Sequence, residues 1–248
     1  MDILPFRKEA AARCMALDEA LMEARIDGRI PDTMRLYQFS PSAVSVGYFQ
    51  SVRNQVNLSI CEQMKIDLVR RATGGGSVFH DSSGEITYSV VMGIRKGSED
   101  IVQSYGNICQ GIVHALKLLG IEAEFKPIND VLVSGKKISG SAQTRRTGVL
   151  LQHGTLMYDT DIDLLSRILN VSKEKLSDKF VDSVKKRVTT IGMELGKADR
   201  QEAIDAMTDG FGTVFGKMDE STIDHDVLER ASTLSREKYQ NREFLFLR

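Results

Sequence analysis

The sequence predicts an α+β fold, with a central mixed or antiparallel sheet flanked by helices, and three observations carry that expectation. Strand-type segments crowd the first two thirds of the 248 residues, and helical periodicity takes over from Asp161. Two tight-turn signals, Ser134–Gly135 and Gly148, lie between apolar runs and imply antiparallel hairpins. No strand–helix alternation of the kind that builds a parallel sheet repeats along the chain.

The segment "CMALDEALMEARIDG" spaces Met15, Leu17, Leu21 and Met22 for a helix that stops at Gly28. "MRLYQF" and "AVSVGYF" read as strands parted by the turn residues Ser40, Pro41 and Ser42. "NLSICEQMKIDL" reads as a helix with Asn57 or Ser59 as its N-cap. "EITYSVVMG" alternates Ile86, Tyr88 and Val90, the pattern of a half-buried strand. "EDIVQSYGNICQGIVHALKLLG" is helical over several turns and closes at Gly120. "VLVSGKKISGSAQ" then forms a two-residue hairpin at Ser134–Gly135, and "TRRTGVLLQHGTLMYD" turns at Gly148 into a long apolar strand. Beyond Asp161, "DIDLLSRIL", "RQEAIDAMTDGFGTVFG" and "DHDVLERASTLSREKY" are helical. A single domain over residues 1–248 is expected, its C-terminal portion from about 160 to 248 helical.

Composition excludes several classes. Hydrophobic residues make up 42% and charged residues 27%, ordinary for a globular protein. A formal net charge of −1 gives no global attraction for nucleic acid. No apolar run reaches the roughly 20 residues of a membrane span, and the opening "MDILPFRKEAAARC" lacks a signal-type apolar core. Cys14, Cys61 and Cys109 are far apart and show no metal-type spacing, so buried free thiols in a reducing cytoplasm are expected.

Two stretches carry chemistry. "RRATGGGSVFHD", Arg70 to Asp81, places three glycines beside two arginines. Glycines let a ligand lie against the backbone, and the planar guanidinium fork suits phosphate or carboxylate. The pattern is not a P-loop, because no Lys-Ser/Thr pair follows, nor G-x-G-x-x-G, because Phe79 occupies the third glycine position. "INDVLVSGKKISGSAQ" supplies Asn129 and Asp130 before a strand and Lys136 and Lys137 after the turn. Side chains alternate along a strand, so one lysine can point into a site while the other is solvated, although a bare GKK at a hairpin is more often two surface lysines. The small residues that follow leave room for a ligand, and the nearby carboxylate is able to help hold Mg²⁺. Of the histidines, His114 and His225 read as structural or solvated, whereas His80 and His153 are within reach of the site, with a hydrogen-bonded core role expected for each ahead of catalysis.

Taken together, "RRATGGGSVFHD", "GKKISGSAQ", "LLQHGTLMYD" and "SVKKRVTTIG", with "MALDEAL" and "AVSVGYFQ" before them, resemble the lipoate–protein ligase A family and its octanoyltransferase relatives. Order and spacing agree over roughly residues 15 to 190. The resemblance implies the fold shared by biotin–lipoate ligases and class II aminoacyl-tRNA synthetases. It also implies that Arg71 and the loop Gly74, Gly75, Gly76, Ser77, Val78, Phe79 and His80 bind ATP and the lipoyl adenylate. Asn129 and Asp130 would lie near phosphate and metal, with Asp130 a ligand of Mg²⁺. Lys137 matches the essential catalytic lysine, with Lys136 outward, and Val78 and Val90 are expected as walls for the acyl chain.

On this resemblance the expected function is ATP-dependent lipoate–protein ligation, with ATP, Mg²⁺ and lipoate consumed through lipoyl-AMP. The expected acceptor is the lipoyl domain of a 2-oxoacid dehydrogenase E2 or the glycine-cleavage H protein. The family's C-terminal accessory domain is expected to be absent here, so a separate small accessory subunit is expected. No nucleic-acid or membrane partner is expected. The alternative is an ATP-independent octanoyl or lipoyl transferase acting from acyl carrier protein or another lipoyl domain through a cysteine thioester. "IEAEFKPINDVLVS" has no cysteine where such transferases carry theirs, whereas "AQTRRTGVLLQHG" is very like them. A non-catalytic acyl-binding module and a biotin ligase fit the charged residues and the glycine loop less well.

Overall fold

The computed structural model describes residues 1–94, 100–169, 184 and 186–248. Its strands are β1 (Asp2–Glu9), β2 (Thr33–Phe39), β3 (Ala43–Val46), β4 (Asp67–Arg70), β5 (Val78–His80), β6 (Glu85–Gly93), β7 (Glu124–Lys126), β8 (Asp130–Val133), β9 (Lys136–Arg146), β10 (Val149–Met157) and β11 (Asp219–Glu220). Its helices are α1 (Ala11–Ile26), α2 (Val52–Gln55), α3 (Leu58–Gln63), α4 (Ile101–Leu118), α5 (Ile162–Ile168), α6 (Ile191–Leu195), α7 (Arg200–Phe215), α8 (His225–Leu234) and α9 (Arg242–Leu245).

The large sheet runs β11-β1-β2-β6-β10-β9-β8-β7. β1 is parallel to β11 and β2, and every pair from β2 to β7 is antiparallel. A small sheet, β4-β3-β5, stands apart from it. The fold is therefore α+β with a mixed sheet, as the strand-rich front and helical rear of the chain predict.

Helices cover both faces of the large sheet. On one face Ile86, Tyr88 and Val90 pack with Ile108, Ile112 and Leu116 of α4 and with Met207 and Phe211 of α7. On the other, Val91 meets Leu17 and Leu21 of α1 and Val227 and Leu234 of α8. The expectation of a half-buried β6 is thus corrected: Glu85 to Val91 are all buried. α4 and α7 touch backbone to backbone, since a Cβ on Gly210 would lie 2.4 Å from the Gly111 carbonyl oxygen. A third cluster of Val44, Val46, Val52, Cys61, Phe79 and Ile168 ties the small sheet to α2, α3 and α5.

Both predicted hairpins form. Ser134 and Gly135 have φ of +49° and +77°, and Thr147 and Gly148 +50° and +75°, the two left-handed residues a type I′ turn requires. Asn57 caps α3 by accepting from the Ile60 N–H. That helix ends at Gln63, and its expected tail from Asp67 is instead β4. Residues 170–183 and 185 of the C-terminal portion expected to be helical lie outside the described residues.

Candidate active site

A cleft of about 240 Å³ separates the small sheet and glycine loop from β9 and β10. Arg71, Gly75, Gly76, Ser77, Val78, Phe79 and His80 form one wall, and Asn129, Lys137, Gly140, Ser141 and Ala142 the other. Met15, Tyr37, Ser45, Thr87, His153, Gly154, Thr155, Met157, Leu165, Leu169 and Val188 complete it. Asn129, Lys137, Ser77 and Leu165 are partly exposed and mark the mouth, whereas Tyr37, Ser45 and Thr87 are buried and mark the inner end.

A β-bulge sets up the mouth. β8 and β9 pair Asp130 with Gly140 and Val131 with Ser139, then Leu132 with Lys137, so Ile138 is the extra residue. The bulge turns Ile138 into the core and puts Lys137 on the cleft-lining side with Gly140 and Ala142. Lys137 is further held by its N–H to the Arg187 carbonyl and by its own carbonyl to the Thr189 N–H, 2.8 and 2.9 Å. Its Nζ lies 2.6 Å from Asp130 Oδ1, and a Cβ on Gly140 would come within 2.5 Å of it. The ammonium therefore rests on bare glycine backbone. Asn129 locks the approach by donating from Nδ2 to the Ser141 carbonyl at 2.5 Å.

The inner wall is organised by Arg71, only 4% exposed. Its Nε donates to Thr73 Oγ1, one terminal nitrogen to the carbonyl and Oγ of Ser45, and the other to the carbonyls of Gly74 and Gly76, at 2.6–3.1 Å. All five N–H donors are thereby matched to protein oxygens. Burial brings the guanidinium down to about 10, so it stays charged at neutral pH. Gly75 takes φ +90°, and its carbonyl sits where a Cβ on Gly47 would be, 2.0 Å away. That close approach is why position 47 needs glycine, and the positive φ is why position 75 does. Among the described residues, no acceptor is recorded for the N–H groups of Gly74, Gly75 and Gly76.

Behind Arg71 stand two imidazoles. His80 touches Ser45 Oγ at 2.8 Å through Nε2 and Glu85 at 2.7 Å through Nδ1. His153 touches Thr73 Oγ1 at 2.8 Å through Nε2 and Asp18 at 2.9 Å through Nδ1. Burial lowers the His153 imidazole below its usual range despite the Asp18 contact. Asp18 also binds Arg35 at 2.7 Å. Burial raises the Asp18 carboxyl, but Arg35 and then His153 outweigh it and bring it to about 2.

Several expectations change here. Arg71 lines the cleft, and its five donors are used on the protein, where they clamp the loop. Both ring nitrogens of His80 are likewise engaged. Gly74 and Asp130 do not line the cavity, although the first accepts from Arg71 and the second pairs with Lys137. Val90 is fully buried in the core and is no acyl wall. As a Mg²⁺ site Asp130 offers one carboxylate already ion-paired to a lysine, a poor donor set for that cation. Among the described residues the group spaced for a metal is His225, Asp226 and Glu229, exposed on α8 and outside the cleft lining. All three cysteines are buried and unpaired, and none lines the cleft. Cys109 lies behind Ser141, its Sγ 3.5 Å from Ser141 Oγ, and burial raises its thiol. No described helix is long and apolar enough to cross a membrane. Asp18, Thr73 and Glu85 carry the inner wall without any local motif.

The fold that carries this cleft is shared with solved lipoate protein ligases. The chain belongs to the lipoyl protein ligase A/B catalytic domain family, whose family model matches residues 10–212. It is 32% identical to octanoyltransferase LipM of Brevibacillus brevis over 93% of this chain and 92% of that one. It is 35% identical to octanoyltransferase LipM of Oceanobacillus iheyensis over 82% and 81%. The bipartite lipoate protein ligase of Thermoplasma acidophilum superposes with a TM-score of 0.89 at 29% identity, covering 99% of this chain and 95% of that one. The curated relatives are named as transferases, and this overturns the expected ATP-dependent ligase.

Proposed function

We propose that the chain is an octanoyl- or lipoyl-transferring enzyme that moves a medium-length acyl group from a thioester donor to a lysine of a lipoyl-acceptor domain, without ATP. The observation that carries this reading is the set of octanoyltransferases 32–35% identical over most of the chain. The cleft is compatible with it, being largely apolar, with buried residues at the end away from Lys137. An acyl chain would lie along Val78, Met157, Leu165 and Leu169 with its carbonyl at the mouth. There the Lys137 ammonium, steadied by Asp130, would stabilise the oxyanion formed when the acceptor amine attacks the thioester carbon. The tetrahedral adduct then collapses to an amide and expels the donor thiol, which takes up a proton while the amine gives one up.

Cys14, Cys61 and Cys109 lie off this path, so the proposed transfer is direct. The donor is a protein- or pantetheine-bound thioester, the acceptor a lipoyl domain, and no accessory ligase subunit is required. The test mixes the chain with octanoyl–acyl carrier protein and an apo acceptor domain, and in parallel with free acid plus Mg-ATP. The expected result is an acceptor mass gain from the thioester without ATP. A gain seen only with free acid and ATP would overturn it.

A further inference from the structure

Arg71 is a buried cation that no carboxylate among the described residues touches. Two carboxylates reach it at one remove, from opposite sides. Glu85 on β6 acts through His80 on β5 and Ser45 on β3. Asp18 on α1 acts through His153 on β10 and Thr73 in the loop. Each chain runs carboxylate, imidazole, hydroxyl, guanidinium, with every step between 2.7 and 3.1 Å.

A count of hydrogens fixes the direction of both chains. Arg71 only donates, so each hydroxyl accepts from it and has its own hydrogen left to give. The available acceptor is the Nε2 of the facing imidazole. Each ring then carries its hydrogen on Nδ1, aimed at the carboxylate. Every polar hydrogen in both chains has one acceptor in this arrangement, and reversing a ring strands the hydroxyl hydrogen. The separation also has a use. A carboxylate placed directly on Arg71 would take the planar fork in bidentate fashion and pull it off the carbonyls of Gly74 and Gly76. Held two groups away, each carboxylate orders its imidazole while all five donors stay on the loop and β3.

We propose that His80 and His153 are positioning residues for acyl transfer, acting through Ser45 and Thr73 on Arg71, and through Arg71 on the glycine loop. The proposal rests on the transferase reading above. Two readouts test it. The first needs no turnover: long-range ¹H–¹⁵N correlation spectra of the wild-type chain at pH 7 are expected to show both rings as the Nδ1–H tautomer. The Nε2–H tautomer at either ring overturns the assignment. The second is kinetic. Thr73→Val is expected to lower kcat about tenfold and Thr73→Ser to recover most of that loss, while in an Arg71→Ala background Thr73→Val changes kcat no further. Equal losses in both backgrounds would show that Thr73 acts independently of Arg71, and would sink the clamp. If Arg71→Ala does not fold, Arg71→Lys provides the second background. Both Nδ1–H tautomers without any wild-type transfer would overturn the function and leave the clamp. Transfer with a reversed ring would do the opposite.

Discussion

Arg71 and Lys137 are cations on facing walls of one cleft, and the chain treats them in opposite ways. Around Arg71 five donors meet five protein oxygens, and two histidines behind it have both ring nitrogens engaged. Lys137 is partly exposed, rests on the bare backbone of Gly140, and pairs with Asp130 at the cleft mouth. A saturated group sets shape, because it has no donor left to follow a changing charge. A group with spare donors is able to meet an oxyanion as it forms. Substitutions at the inner wall should therefore act through stability and loop shape, and those at the mouth should cost rate alone.

The largest effect expected on the stability side is Asp18→Ala. It leaves the buried Arg35 with only the more distant Glu9 carboxylate, at 3.9 Å, and His153 without its Nδ1 partner, a loss of about 4 kcal/mol in denaturant unfolding. A loss under about 1 kcal/mol would mean the inner wall is not held this way. Lys137→Ala breaks the comparison from the other side. It should lower transfer about 100-fold, about 3 kcal/mol in barrier, and leave the unfolding midpoint in place.

Acid sharpens the inner-wall account. The folded Asp18 carboxyl lies near 2, below its ordinary 3.8, so its contribution is present above pH 4 and lost as pH falls from about 4 to 2. That loss is about 2 kcal/mol, read as the fall in unfolding free energy across the window and absent in Asp18→Asn. His153, lowered by burial, works in the same direction at higher pH: stability declines as pH drops below 6.5. The smallest of these effects is Gly140→Ala. A methyl there displaces the flexible end of Lys137 rather than any backbone, so transfer should fall about tenfold, about 1.4 kcal/mol, with little change in stability. Unchanged transfer would separate the ammonium position from the chemistry.

The mouth was legible in the sequence because its parts are local. Asn129, Asp130, Lys137 and the small residues after them lie on one hairpin whose turn is declared by Ser134–Gly135. The inner wall was not, because its contacts are remote: Asp18 meets His153 across 135 positions and Thr73 meets His153 across 80. Arginine beside glycine looks the same in a sequence whether its fork faces a ligand or its own loop. β1 escaped notice for a physical reason too. "DILPFRKE" holds Pro5 within a register shift against β2 between Leu4 and Arg7, so no clean alternation survives. The two-residue β11 carries no pattern at all. The choice between ligase and transferase turned on whole-chain similarity, since the glycine loop and lysine hairpin did not decide it.

The most direct test of transfer at the mouth is the intact mass of enzyme and acceptor after reaction of a Cys14→Ser, Cys61→Ser, Cys109→Ser chain with octanoyl–acyl carrier protein, without ATP. The account predicts an octanoylated acceptor and an enzyme of unchanged mass. An acceptor left unmodified by this variant but octanoylated by a wild-type chain that itself carries an acyl adduct would contradict it.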